Sequence, residues 1–199
     1  MNTEFEAKFY PVDKEEYRKK LEAEGAKLTV PERLMRRVIA DRRANPGLNC
    51  DYIRVRDEGN IIRLSAKIHA DAEGKVGDQK EDDVEVSDFN TTVRILEDAG
   101  LKFNRMQETK REEWELDGAT ITIDTWPGLE PFTEIETVSS QKVKAIAEKL
   151  GFRWEEKILT AAAEIFCKVY GLTIDEVLEK ISEITFENNP FSDMEKTWP

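Results

Sequence analysis

The chain has 199 residues, enough for one sizeable core. Charged residues make up 36% of it, against roughly 25% in an average globular domain, while 39% hydrophobic content still supports a packed interior. A net charge of −12 repels nucleic-acid backbones and anionic membrane surfaces, so neither is expected as a partner.

The opening stretch TEFEAKFY, 3 to 10, alternates strictly and predicts a strand. A helix is expected over about 13 to 24. Val12 and Tyr17 can staple it, Asp13 with Glu16 can form a capping box, and Gly25 stops it. Strands follow at about 33 to 41, 51 to 57 and 61 to 69, the last two joined by the turn DEGN. Ala70 to Asp78 is rich in Gly and charge and reads as a surface loop. After a strand at 81 to 87, a helix over about 88 to 99 places Phe89, Val93 and Leu96 on one stripe and ends at Gly100. Three strands, 107 to 116, 119 to 125 and 132 to 138, lead to a helix from Ser140 to Gly151. Ile158, Ala162, Ile165, Phe166 and Val169 then follow helical spacing to Gly171, and Thr173 with Glu176 caps a last helix carrying Val177, Ile181 and Ile184. The segment FENNPFSDMEKTWP is expected to pack irregularly on the outside. About eight antiparallel strands with short helices suggest a closed barrel or a pair of packed sheets, with the helices outside.

No run of eighteen apolar residues and no secretory leader occur, so a soluble cytoplasmic protein is expected. Cys50 and Cys167 stand far apart without zinc-site spacing and read as ordinary thiols. His69 is the single histidine, which removes most zinc chemistry, His-based triads and imidazole acid/base schemes.

Successive strand side chains point to opposite faces, so parity sorts the charges. One face carries Glu4, Glu6 and Lys8, then Arg54 and Arg56, then Arg63, Ser65 and Lys67, then Asp83 and Glu85. It continues with Arg111, Glu113 and Glu115, with Thr120, Thr122 and Asp124, and with Glu134 and Glu136. For any one strand the ordinary reading is a polar side turned to water. Glu-x-Glu at 4/6 and 134/136 and Arg-x-Arg at 54/56 argue further, because like charges side by side repel unless an opposite charge lies between them. Paired acids invite a divalent cation and paired bases a polyanion. Facing one interior, the two sets would bind a metal together with a phosphate chain. Oxygen ligands without His or Cys suit Mg2+ or Mn2+. Phosphate capture at a helix N-terminus has no support, since the chain lacks a Walker loop and a G-x-G-x-x-G.

In order along the chain, Glu4-x-Glu6-x-Lys8, IRVR (Arg54, Arg56), RLSAK (Lys67), DDVEV (Glu85), TKRE (Arg111) and TITIDTWPGLEPFTEIE (Asp124, Glu134, Glu136) resemble the CYTH superfamily of triphosphate tunnel metalloenzymes over roughly residues 3 to 170. The resemblance implies an α+β fold: an eight-stranded antiparallel β-barrel, the triphosphate tunnel, with short helices packed outside. The helices after Gly171 would be a C-terminal addition, 171 to 199, to a tunnel domain of residues 1 to 170. It further implies that Glu4, Glu6, Glu85, Asp124, Glu134 and Glu136 hold one or two Mg2+ or Mn2+ ions, and that Lys8, Arg54, Arg56, Lys67 and Arg111 hold the triphosphate. Glu4, Glu6 and Lys8 are the expected catalytic residues. Two stretches depart from the family pattern: 39 to 51, IADRRANPGLNCD, and the turn PGLEP where Gly-Leu-Gly is usual. Arg36, Arg37 and Arg63 are left unplaced.

Three functions compete. A metal-dependent triphosphatase is favoured, acting on tripolyphosphate or on an organic or nucleoside triphosphate, because it asks least of the site. A class IV adenylyl cyclase, making cyclic AMP and pyrophosphate from ATP, would need an adenine pocket that no residue here identifies. A non-catalytic polyphosphate-binding or protein-interaction module would use Phe186, Phe191 and Trp198 of the tail as a partner surface. The partner is a triphosphate-containing small molecule in the first two readings, and a homodimer is left open.

Overall fold

The computed structural model describes residues 2–68 and 79–198. His69 and the loop expected over Ala70 to Asp78 lie outside the described residues. The period-2 segments form strands β1 (Asn2–Phe9), β2 (Lys27–Asp41), β3 (Tyr52–Asp57), β4 (Ile62–Ile68), β5 (Gln79–Val86), β6 (Arg105–Leu116), β7 (Ala119–Thr125) and β8 (Phe132–Thr137). They neighbour one another in the order β2-β3-β4-β5-β1-β8-β7-β6, every pair antiparallel. β2 then returns to β6 with a register running from Lys27↔Glu115 to Ile39↔Arg105, and this pairing closes the barrel. A two-residue strand, β9 (Glu183–Ile184), adds a short parallel pairing to β6.

Closure turns the parity of the sequence into an inside and an outside. The apolar faces point outward and are buried under helices α1 (Lys14–Ala23) and α3 (Ser140–Lys149), where Ala7, Phe9, Leu21, Trp114, Ile121, Ile135 and Val143 share one core. Ile121 and Ile135 are wholly inaccessible, and truncating either to Ala would cost about 2–5 kcal/mol. With that face satisfied by helices, the charged face is left to line the barrel. α2 (Phe89–Asp98) packs beside β3. A second core joins Trp126, Leu129 and Phe132 at one end of the barrel to α4 (Ala162–Tyr170), α5 (Ile174–Lys180) and Phe191 of the tail.

Helix ends follow the sequence signals. Asp13 accepts from Glu16 N at 2.9 Å, and Thr173 with Glu176 forms a reciprocal capping box. Three elements differ from expectation. The last helix ends at Lys180, short of Ile184, which pairs with β6 in β9 instead. β2 starts at Lys27 rather than about 33, because register shifts on either side of Val30 carry the strand past Pro31, which cannot donate to a ladder. Ile158 does not begin a helix; it exchanges two backbone bonds of 2.9 Å with Lys8. Among the described residues β5 reaches β1 only over Asn2 to Glu4, so beyond that point Ile158 takes the open edge of β1. The segment that follows brings Ala161, Ala162 and Ala163 to the barrel interior.

Candidate active site

The barrel encloses a cavity of about 330 Å3. Among the described residues eight basic and seven acidic side chains line it, a near balance inside a chain of net −12. The basic share is concentrated here, which makes the interior a place for an anion.

β1, β7 and β8 supply the acidic wall. In register, Glu6 stands opposite Glu136 and Lys8 opposite Glu134, while Arg111 on β6 faces Asp124 on β7. Lys8 Nζ, 6% exposed, donates to Glu6 Oε1 at 2.6 Å and lies 3.0 Å from Glu134 Oε1. Arg111 forks onto Asp124 at 2.7 and 3.0 Å and donates to Glu134 Oε2 at 2.9 Å, and Thr122 Oγ1 donates to Asp124 at 2.6 Å. Burial and the neighbouring Glu134 push the Glu6 carboxyl up. Burial, Glu134 and Glu6 do the same to Glu136. Burial also opposes ionisation of Glu134, but Lys8 and Arg111 overcome it and hold that carboxyl well below the usual range.

The facing wall, from β2, β3, β4 and β6, is basic. Arg54 donates to Glu81 at 2.7 Å, and Lys67 lies 3.4 Å from the same carboxylate. Arg56 holds Glu58 through Nε at 2.9 Å and Nη2 at 2.6 Å, and Arg105 pairs with Asp41. Arg37 stacks 4.4 Å from the Trp126 ring, and its Nε is buried without a hydrogen-bond partner among the described residues. Burial and the charges of Arg54, Arg56 and Arg111 lower its pKa to about 9. Burial, Arg54 and Arg111 lower that of Arg56 to about 10. Arg56 meets this cost with Glu58, whereas the Arg37 Nε–H is left open to an anion.

Of the residues singled out by sequence, Glu6, Lys8, Arg54, Arg56, Lys67, Arg111, Asp124, Glu134 and Glu136 meet on this cavity. Glu4 lies on β1 opposite Gln79, and its side chain is outside the described residues. Glu85 departs from the expected ligand set. It is exposed, opposite Arg63, and takes no part in the cavity wall. β5 meets β1 only near its own start, so Glu81, on the same face four residues earlier, reaches the interior instead. Arg37, Glu58, Glu81, Arg105, Tyr52 and Trp126 also line the cavity. Parity on β5 could have pointed to Glu81, whereas Glu58 lies in a turn where no period applies.

Among the described residues no group of three acidic, Cys or His side chains stands ready-made around a metal. The donor chemistry nonetheless suits a hard cation: Glu6, Glu134 and Glu136 crowd one wall and resist joint ionisation, and Lys8 with Arg111 fills part of the place a cation would take.

The family model that matches is the CYTH domain, over residues 2–162. No curated protein matches the chain. A conserved hypothetical protein from Pyrococcus furiosus is similar in structure at a TM-score of 0.67 and 22% identity, covering 80% of this chain and 97% of its own. A candidate adenylate cyclase from Vibrio parahaemolyticus matches at 0.68 and 11% identity, covering 83% and 98%. A candidate adenylyl cyclase from Hippeastrum, described as having a dominant triphosphatase activity, matches at 0.55 and 14%, covering 88% and 99%. No helix among the described residues is long and apolar enough to cross a membrane. With the family model spanning four-fifths of its length, the chain belongs to the CYTH domain family.

Proposed function

We propose that the protein is a divalent-metal-dependent triphosphatase that holds a triphosphate along its tunnel and releases orthophosphate. The observation that carries this reading is the convergence of Arg37, Arg54 and Arg56 on a cavity whose opposite wall is Glu6, Glu134, Glu136 and Asp124. The family membership and the triphosphatase activity ascribed to the Hippeastrum protein support it.

In this reading Arg54, Arg56, Lys67 and Arg37 grip phosphate oxygens, the arginines by planar forks and Lys67 as a point charge. Glu4, Glu6, Glu134, Glu136 and Asp124 are the ligands for Mg2+ or Mn2+, whose bound charge would polarise the phosphoryl group and lower the pKa of a water. Lys8 and Arg111 stabilise charge on the transferring group from a wall that is buried and held in place by its own ion pairs, where such stabilisation is strong. Glu6 contributes a carboxyl whose affinity for protons is raised. The chain needs no histidine for this chemistry.

Purified protein incubated with tripolyphosphate, thiamine triphosphate or ATP, with Mg2+ or Mn2+, should release orthophosphate. Chelator and Glu134→Gln should each abolish the release. Cyclic AMP and pyrophosphate from ATP would replace this reading with a cyclase, and undiminished turnover in chelator would refute the metal requirement.

A further inference from the structure

Glu58 has no part in the chemistry above, yet it sits among three guanidiniums, two of which, Arg56 and Arg63, line the cavity. It follows β3 in the turn to β4 and is 5% exposed. Oε1 accepts from Arg56 Nε at 2.9 Å and Nη2 at 2.6 Å and lies 3.4 Å from Arg63 Nε, while Oε2 lies 3.4 Å from Arg33 Nη2. Its backbone carbonyl accepts from Arg33 Nε at 2.9 Å. Three strands thus aim cations at one carboxylate.

The geometry at Arg56 makes this pairing exclusive. Its Nε and Nη2 form the edge by which a guanidinium takes an oxyanion in a fork, and both are engaged by Glu58 Oε1. A phosphate oxygen can use that edge only by removing the carboxylate. Oε1 and Oε2 also lie near Arg63 and Arg33, so the same displacement takes one of two carboxylates from each of those side chains, Arg63 keeping Asp83 at 2.8 Å and Arg33 keeping Glu113.

We propose that Glu58 is a built-in counter-anion, which occupies the arginine cluster at the β3–β4 end of the tunnel until a phosphate chain displaces it and thereby sets the affinity of the tunnel for anions. This rests on the reading of the tunnel as a triphosphate site. Two effects oppose each other in Glu58→Gln. The ligand-free protein loses the counter-charge of a crowded cation cluster and becomes less stable. The ligand gains, because nothing ionised competes for the fork.

The test is calorimetric binding of inorganic tripolyphosphate in chelator, with melting curves of the same proteins with and without the anion. Glu58→Gln should bind about tenfold tighter than wild type, melt lower without ligand, and show the larger rise in Tm on adding tripolyphosphate. Glu58→Asp, which draws the carboxylate back by one methylene, should shift affinity in the same direction by a smaller factor and carries the test if the Gln variant does not fold. Weaker or unchanged binding in both variants would make Glu58 a prop that orients Arg56 and overturn the inference while leaving the triphosphate reading intact. Absence of tripolyphosphate binding in wild type and variants alike overturns both.

Discussion

Replacing Arg37 by Met separates what the tunnel needs for binding from what the fold needs for stability. In the ligand-free chain burial and the charges of Arg54, Arg56 and Arg111 lower the Arg37 pKa from 12.5 to about 9. At pH 7, below both values, the charge is present folded and unfolded, and only the folded state is penalised by it. The penalty is relieved as pH rises between about 9 and 12.5. That gap corresponds to about 5 kcal/mol against the charged form. Met keeps the length and apolar bulk but gives up the guanidinium 4.4 Å from Trp126, an interaction of about 2 kcal/mol when desolvated. The expected net effect is a gain of about 3 kcal/mol in ligand-free stability, or roughly 6–12 °C in Tm for a chain of this size. Tripolyphosphate affinity should fall by about 10–100-fold, the worth of a charge-assisted hydrogen bond. Urea and thermal unfolding in chelator read the first quantity, and titration calorimetry reads the second. A variant that is less stable than wild type and still binds the anion normally would refute the account of the basic wall.

Lys8→Met leaves Glu6 and Glu134 without their shared ammonium, so ligand-free stability should drop by about 3–5 kcal/mol; Mg2+ should raise the Tm of the variant more than that of wild type, and an equal rise would count against a cation site on that wall. Burial and like charge raise the carboxyl pKa values of Glu6 and Glu136 above 4.5, so the metal-free fold should gain stability as pH falls from 7 toward about 4.5. Glu134, Glu58 and Glu112 have lowered values, and their contribution should be lost below 4.5. The urea midpoint should therefore peak near 4.5, and a monotonic fall from pH 7 would contradict the acidic wall. Gly128 has φ +86, and a Cβ there would meet Phe191 Cβ and Asn189 Oδ1 at 3.1 Å. Gly128→Ala should cost about 2–4 kcal/mol from left-handed backbone and overpacking, measured as a lower urea midpoint at unchanged m-value.

The strands and the face each presents were legible because period 2 is local information. What was not legible depends on which strand meets which, and where. Glu81, Asp83 and Glu85 share one face of β5, and nothing in their spacing says that only the start of β5 approaches β1. Arg36 and Arg37 are adjacent in sequence, yet Arg36 stacks 4.5 Å from Phe89 outside the barrel while Arg37 enters it. Their side was undecidable from a segment reading RLMRRV, in which both faces mix charge and bulk. Arg105 lies two residues before the strand expected at 107, and Glu58 sits in a turn, so periodicity reached neither. Ile158 fits a helical stripe by spacing but is claimed by the open edge of β1, a vacancy that exists only once the barrel has closed.

The paired state of the tunnel carries a consequence for how ligands enter it. Buried charges are tolerated only when partnered, and without ligand each wall partners its own charges: Lys8 with Glu6 and Glu134, Arg111 with Asp124 and Glu134, Arg54 with Glu81, Arg56 with Glu58. A cation entering alone would strand the ammonium of Lys8, and an anion entering alone would strand the carboxylate of Glu58. Entering together, the anion supplies a counter-charge for Lys8 and the cation offsets charge that the phosphates bring. The arrangement therefore favours a metal and a phosphate chain as a joint occupant over either by itself, and it does so through exchange of partners rather than through a preformed empty site.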